Sequence, residues 1–115
     1  AYLMIVKEQY ENPNMAGAYN VGPDDRDCIT TGELADLFCG AWKNGAAWEN
    51  LYAGGPHEAN FLKLDCSRIK NTFGWKPHWQ VKDAVEKSVE WYQAWIDGQD
   101  MVKLTDEQIE TYYHC

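Results

Sequence analysis

The chain has 115 residues, the length of one domain near the lower end of the usual range, and we expect residues 1–115 to form a single unit. Ten basic and eighteen acidic residues give a formal net charge of -8, which argues against nucleic acids and anionic membranes as partners because both would repel the chain. No apolar run approaches the roughly 18 residues that span a bilayer, and no signal peptide opens the sequence, so we expect a soluble, cytoplasmic protein.

The spacing of cysteines and histidines indicates neither a disulfide framework nor a metal site. The four cysteines lie far apart and form no Cys-x-x-Cys pair. The three histidines supply no i, i+4 ligand pair on a helix. We therefore expect reduced cysteines that behave as small apolar side chains, and no bound metal.

The aromatic content is high for so short a chain. Six tryptophans and seven tyrosines are more large rings than a small domain easily buries, so we expect some of them to face a partner. The chain also opens at Ala1, directly in an apolar segment without a cap. We interpret this start as a sign that the chain was cut from something longer.

Apolar residues at helical spacing, together with capping and stop signals, predict five helices. These cover residues 2–11, 31–43, 66–73, 81–97 and 105–113. Thr30 and Glu33 form a capping-box pattern ahead of the second helix, and Thr105 begins the last helix by the same logic. Because a helix amino terminus presents free N–H groups, it would also favour a ligand oxygen near Thr30, although capping alone explains this threonine equally well.

Three short apolar segments bounded by glycine and proline predict strands. They cover residues 18–22, 47–53 and 61–64. The acidic loop 24–27 follows the first of them; it is either functional or merely solvated, and we favour the solvated interpretation. The predicted fold class is therefore α/β, with several helices and a few short strands.

The most informative stretch is the turn at residues 54–58, which leads into the third predicted strand, with Asp65 as the predicted cap of the helix that follows. The turn carries two protonatable residues, His57 and Glu58, at its tip. Adjacent side chains on an extended backbone point to opposite sides, so ligand binding is a better interpretation than joint acid-base catalysis. A structural role for His57 in holding the turn, and a solvated role for Glu58, stay open.

The sequence offers no set of catalytic residues. No serine or cysteine sits in a nucleophile-elbow motif, no two glycines are spaced as Gly-x-Gly, and none of the seven tyrosines begins a Tyr-x-x-x-Lys motif. We therefore predict no catalytic residue in this chain and no dinucleotide binding by the usual route.

Four motifs along the chain form a recognisable set. They run from Tyr19 to Asp25, from Gly54 to Ala59 with Leu62 to Ser67, from Phe73 to Pro77, and from Ala84 to Tyr92. This set resembles the carboxy-terminal third of the CDP-glucose 4,6-dehydratases, which are extended short-chain dehydrogenases/reductases. The Gly-Trp-Lys-Pro and Trp-Tyr elements are shared by nucleotide-sugar epimerases and dehydratases in general, whereas the Pro-His-Glu-Ala to Leu-Asp-Cys-Ser run indicates the CDP-glucose branch.

The resemblance implies a carboxy-terminal substrate-binding lobe from which the Rossmann core is mostly missing. The parent enzyme would oxidise glucose C4 with bound NAD, eliminate water across C5 and C6, and return the hydride to give CDP-4-keto-6-deoxyglucose. The residues for this chemistry belong to the amino-terminal Rossmann domain of such enzymes. This portion alone is therefore expected to bind no NAD and to be inactive, and its implied partners are that domain and CDP-glucose.

The resemblance also implies which residues contact the substrate. In related dehydratases the histidine matching His57 lies against the nucleotide, and a polar residue near Thr30 approaches it; together with Glu58, these are the predicted substrate-binding residues. An arginine three residues before that histidine helps to hold the diphosphate in those relatives, and Gly54 stands there in this chain. Because a chain of charge -8 repels a dianion, we expect the isolated chain to bind CDP-glucose with millimolar affinity at best.

Two other interpretations stay open. On the first, the chain is a free-standing, aromatic-rich module that binds sugars or proteins. On the second, it is the equivalent lobe of a dehydratase or epimerase that acts on a dTDP- or UDP-sugar. On the dehydratase interpretation, the first helix and several tryptophans face the amino-terminal domain. The chain on its own is then expected to expose an apolar patch or to cover it by self-association.

Overall fold

The computed structural model describes residues 1–51 and 63–114. Its α-helices are α1 (Tyr2–Glu11), α2 (Thr31–Trp42), α3 (Ser67–Phe73), α4 (Val81–Ile96) and α5 (Met101–Tyr113). Two single turns of 3-10 helix, Pro13–Met15 and Asp25–Asp27, lie between α1 and α2. No helix in the described ranges is long and apolar enough to cross a membrane.

The predicted α/β class is wrong, because the described residues form helices and no strand. Residues 18–22, 47–51 and 63–64 have no regular secondary structure, and the rest of the predicted strands lies outside the described residues. A strand needs a neighbouring strand to complete its ladder of backbone hydrogen bonds. Side chains bond some of the backbone groups that a strand would pair: Arg68 donates to the Ala18 carbonyl at 3.1 Å.

The first four helices were predicted to within one residue at each end, but the last one begins earlier than predicted. α5 starts at Met101 because the carboxylate of Asp100 accepts hydrogen bonds from the backbone N–H groups of Val102 and Lys103, both at 3.1 Å. Thr105, the predicted cap, lies inside α5, and its hydroxyl accepts a hydrogen bond from Trp91 Nε1 at 3.1 Å.

The core is centred on α4, which packs against α2 on one side and α5 on the other. Val85, Val89 and Ala94 of α4 are buried. Trp95 and Ile96 were predicted on the same buried side but are 60% and 63% exposed. At this end of α4, Gln93 faces α2 and donates from Nε2 to the Trp42 carbonyl at 2.9 Å.

A second, smaller cluster forms around α3. Cys66 and Ile69 are buried there, and Ile69 has no exposed surface. Gly74 ends α3 in the left-handed conformation, with a φ of 64°, as predicted. The radius of gyration is 17.7 Å, compared with about 13 Å for a compact domain of this length. The described residues therefore form two modest clusters and leave many apolar side chains on the surface.

Candidate functional site

Thr30 caps α2, as its sequence pattern predicted. Its hydroxyl accepts a hydrogen bond from the backbone N–H of Glu33 at 3.2 Å and donates to Glu33 Oε2 at 2.8 Å. The backbone N–H of Thr30 donates to the same carboxylate oxygen at 2.7 Å. These bonds hold the pKa of Glu33 below its usual value, the backbone bond contributing most and the hydroxyl second.

The carboxylate of Glu33 limits what this end of α2 can bind. It lies at the N–H of Thr30, beside the free N–H groups of the first turn, so a phosphate there would encounter a like charge. A hydroxyl or amino group would instead find an acceptor there. The start of α2 therefore suits a neutral donor, such as a sugar hydroxyl or a base amino group, better than a diphosphate.

Trp48 connects the chain ahead of the predicted turn to the start of α2. Its Nε1 donates to Asp36 Oδ1 at 2.9 Å. Its ring lies close to Gly32, where an added Cβ would be 3.5 Å from the ring edge. Residues just before the turn are thus held beside the helix end that Thr30 caps.

His57 and Glu58, with Gly54, lie outside the described residues, so their roles stay predictions. The chain that follows them is described from Lys63, whose Nζ lies 3.7 Å from Asp25 Oδ2. Asp65, the next acidic residue, was predicted to cap α3.

Asp65 stands one position before the N-cap residue of α3, Cys66. Its Oδ1 accepts hydrogen bonds from the backbone N–H of Ser67 at 2.9 Å and from the Ser67 hydroxyl at 2.5 Å. These two bonds, the hydroxyl first, lower the pKa of Asp65. Asp65 was predicted as the cap of α3, but it bonds the first N–H of the helix from the position before the N-cap residue.

The acidic loop 24–27 ties two helices together, so the prediction that it is merely solvated is wrong. Asp24 Oδ1 lies 2.5 Å from Lys70 Nζ on α3. Asp27 is 8% exposed, and its Oδ1 accepts a hydrogen bond at 3.1 Å from the backbone N–H of Val81, the first residue of α4. The bond with Lys70 lowers the pKa of Asp24 and raises that of Lys70.

Two of the motifs that carry the resemblance contact each other. Asn20 Nδ2 donates to the carbonyl of Asp65 at 3.0 Å. Directly beside the motifs, Arg68 donates to the carbonyl of Ala18, and its guanidinium carbon lies 4.8 Å from the centre of the Tyr19 ring. Sequence reasoning found both motifs but did not predict this contact, because about 45 residues separate them.

A groove of about 1120 Å³ lies between α2 and α4. Five carboxylates and two lysines are among the residues that line it: Glu33, Asp36, Glu86, Glu90, Asp97, Lys43 and Lys82. Its excess of negative charge opposes the binding of a diphosphate. Glu33 is common to the groove and to the cap of α2.

The described residues contain no cluster of histidine, cysteine, aspartate and glutamate that could hold a metal ion. Cys28, Cys39 and Cys66 are free thiols. At the start of α2, the carboxylate of Glu33 carries a negative charge that would repel a pyrophosphate.

No family model matches the chain. It is 33% identical over 112 residues to a CDP-glucose 4,6-dehydratase of Salmonella typhimurium, strain LT2. The match covers 96% of this chain and 31% of that protein, so the chain spans about a third of the length of the curated relative that it matches. This coverage is consistent with a carboxy-terminal portion. The resemblance inferred from the motifs is therefore confirmed: nearly the whole chain is similar to part of a CDP-glucose 4,6-dehydratase.

Proposed function

We propose that this chain is the carboxy-terminal, CDP-glucose-binding portion of an NAD-dependent CDP-glucose 4,6-dehydratase, which makes CDP-4-keto-6-deoxyglucose for deoxysugar synthesis. Its own role is to bind the substrate, and the catalytic residues and the NAD site lie in the rest of the enzyme. The similarity to a CDP-glucose 4,6-dehydratase over 96% of the chain carries this proposal.

The placement of the described residues around the turn supports a binding role. Trp48, ahead of the turn, contacts the start of α2, where Thr30 and Glu33 offer hydrogen-bonding groups. Lys63, behind the turn, pairs with Asp25. The described residues on both sides of the turn thus contact other parts of the chain, and we propose that His57 and Glu58 between them contact the nucleotide.

The surface of α1 supports the existence of a large partner. α1 has no buried residue, and four of its apolar side chains are between 64% and 89% exposed: Tyr2, Leu3, Val6 and Tyr10. A single apolar residue on a surface is ordinary, but four on one short helix indicate a contact surface. We assign this surface to the amino-terminal Rossmann domain of the enzyme.

The same surface leads to a prediction for the chain on its own. Without the Rossmann domain, the exposed apolar side chains of α1 are expected to drive self-association. Sedimentation velocity should show oligomers, and Val6→Asp should shift them toward monomer. A wild-type monomer that binds no dye specific for apolar surface would contradict this prediction.

Substrate titrations of the full-length protein test the binding role. His57→Ala is expected to weaken CDP-glucose binding about 10-fold or more, because it removes a proposed nucleotide contact. His78→Ala is the matched control: its ring lies 5.0 Å from the Tyr112 ring, where α5 ends, and its effect is expected to be within about twofold. Equal affinities for the wild type and His57→Ala would contradict the proposed site.

A further inference from the structure

The groove between α2 and α4 has an apolar floor and charged rims. Val89 and Ala94 of α4 are buried at its floor, and Leu37 and Ala41 of α2 are partly buried beside them. The five carboxylates and two lysines of the groove are all on exposed residues, and they form its rims. A groove of this kind suits an amphipathic helix, whose apolar side chains enter the groove while its charged side chains meet the rims.

The dimensions of the groove also fit a helix. Its volume of about 1120 Å³ exceeds the roughly 300–1,000 Å³ of a small-molecule pocket. Its lining residues extend from position 33 to 43 along α2 and from 82 to 97 along α4. These two helices have 12 and 16 residues, so the walls are about 18 Å and 24 Å long. A helix of about three to four turns would lie along them.

A glycine in the wall of the groove leaves room for a close approach. Gly40 is an exposed residue inside α2, where glycine is less favourable than alanine. A Cβ added to Gly40 would meet no described atom within 4 Å, apart from its neighbours and the backbone of its own helix. Contacts among the described residues therefore do not require a glycine at this position. Its missing side chain lets the backbone of a partner come close to α2.

The charge of the rims determines which kind of helix fits. Glu33 and Asp36 accept hydrogen bonds from neutral groups, so these partners leave their negative charge in place. Glu86 lies 3.9 Å from Lys82, and its side chain is 55% exposed. Lysine or arginine side chains on an incoming helix would find carboxylates along both rims. A second copy of this chain is a poor occupant, because its net charge of -8 would be repelled.

We propose that the groove between α2 and α4 docks an amphipathic helix of another protein, with basic side chains on either side of its apolar face. The apolar face contacts the floor at Leu37 and Val89, and the basic side chains pair with the rims. This surface goes beyond the proposed function, and it holds or fails independently of the nucleotide sugar that the enzyme uses.

Peptide binding to the full-length protein tests the proposal. The probe is a fluorescent synthetic helix of about four turns, with leucines at i, i+3, i+4 and i+7 spacing and lysines beside them. Its control has glutamates in place of the lysines. Fluorescence anisotropy at low ionic strength should show that the lysine peptide binds at least about 10-fold more tightly than the glutamate peptide. Equal binding of the two peptides, or no binding of the lysine peptide, would overturn the proposal.

Two charge reversals test whether the peptide binds in this groove. Glu86→Lys, on a rim, is expected to weaken binding of the lysine peptide about 5- to 10-fold. Glu107→Lys is the matched control: Glu107 is 61% exposed and lies 3.8 Å from a lysine one turn away, but it is on α5 and does not line the groove. Its effect is expected to be within about twofold. Equal effects of the two reversals would contradict the assigned surface.

A steric variant tests the role of the open wall. Gly40→Leu places a side chain in the groove and is expected to weaken binding of the lysine peptide about 10-fold or more. Leucine favours a helix more than glycine does, so far-UV circular dichroism is expected to show the same helix content as the wild type. Unchanged peptide binding in Gly40→Leu would overturn the proposal.

Discussion

Asp27 is expected to stabilise the start of α4, and replacing it tests how the acidic loop supports the fold. Its carboxylate is 8% exposed and accepts a hydrogen bond from the Val81 N–H at 3.1 Å. Leaving such a partly buried donor without an acceptor costs about 1–3 kcal/mol. The contact with Arg26, at 3.6 Å and with a mostly exposed partner, adds less than about 1 kcal/mol. We therefore expect Asp27→Ala to lower the free energy of unfolding by about 2 kcal/mol.

Urea unfolding followed by far-UV circular dichroism measures this loss, and hydrogen exchange at the Val81 amide locates it. Asp27→Asn keeps an acceptor oxygen and is expected to cost less than about 1 kcal/mol. Asp25→Ala, in the same loop but 88% exposed on its side chain, is the control and is expected to stay within about 0.5 kcal/mol. If Asp27→Asn destabilises the protein as much as Asp27→Ala, the hydrogen bond to Val81 is not the source of the effect.

Three further predictions concern other parts of the fold. Ile69 has no exposed surface, so Ile69→Ala is expected to lower the free energy of unfolding in urea by about 2–5 kcal/mol. Val102 is 73% exposed, so Val102→Ala is the control and is expected to cost less than about 0.5 kcal/mol. Similar losses of stability in both variants would contradict the α3 cluster. The ion pair lowers the pKa of Asp24 and raises that of Lys70. It therefore stabilises the fold fully at pH values between 3.8 and 10.5, the ordinary pKa values of the two groups. This contribution is lost as pH falls through the lowered pKa of Asp24, or rises through the raised pKa of Lys70. Nuclear magnetic resonance titration should place the Asp24 midpoint below 3.8 and show it moving back up in Lys70→Met; an unchanged midpoint would rule out the pairing. Thr30→Ala is expected to cost about 1 kcal/mol of stability, and Thr30→Ser should recover most of it because serine keeps the capping hydroxyl; equal stabilities of the two variants would argue against the cap.

Local signals were enough to predict most helices. A cap acts within one turn of the helix end, so all the residues that form it are close together in the sequence. This holds for the capping box of Thr30 and Glu33 and for the C-cap Gly74. Asp100, two residues after Gly98, is an N-cap residue type and caps α5. This local signal was complete in the sequence, but the prediction began the helix at Thr105 and did not include it.

Strands and long-range contacts were not predictable in the same way. Residues 18–22 have the composition of a strand, but a strand exists only where another strand completes its hydrogen bonds, and no described residue provides one. The bonds of Asp24 with Lys70 and of Asp27 with Val81 join residues 46 and 54 positions apart. No local rule reports such a partner, so an acidic loop that links two helices looked like a solvated one.

The candidate site was predictable only in part. Thr30 takes the position that its pattern indicated, at the start of α2. This helix end was expected to favour a ligand oxygen, because the free N–H groups were considered and not the carboxylate of Glu33, which would oppose an anionic ligand there. The position of Trp48 in the sequence, between α2 and the turn, could have suggested a part in the site. Its hydrogen bond to Asp36, however, depends on how the chain folds back onto α2 and is not visible in the sequence.

Product formation by the full-length protein tests the central claim most directly. CDP-, dTDP- and UDP-glucose are each incubated with the protein and NAD, and mass spectrometry follows the loss of one water from the sugar nucleotide. The account predicts conversion of CDP-glucose to its 4-keto-6-deoxy product, with little or no conversion of the other two. Preferred conversion of dTDP- or UDP-glucose, or no conversion of any of the three, would contradict it.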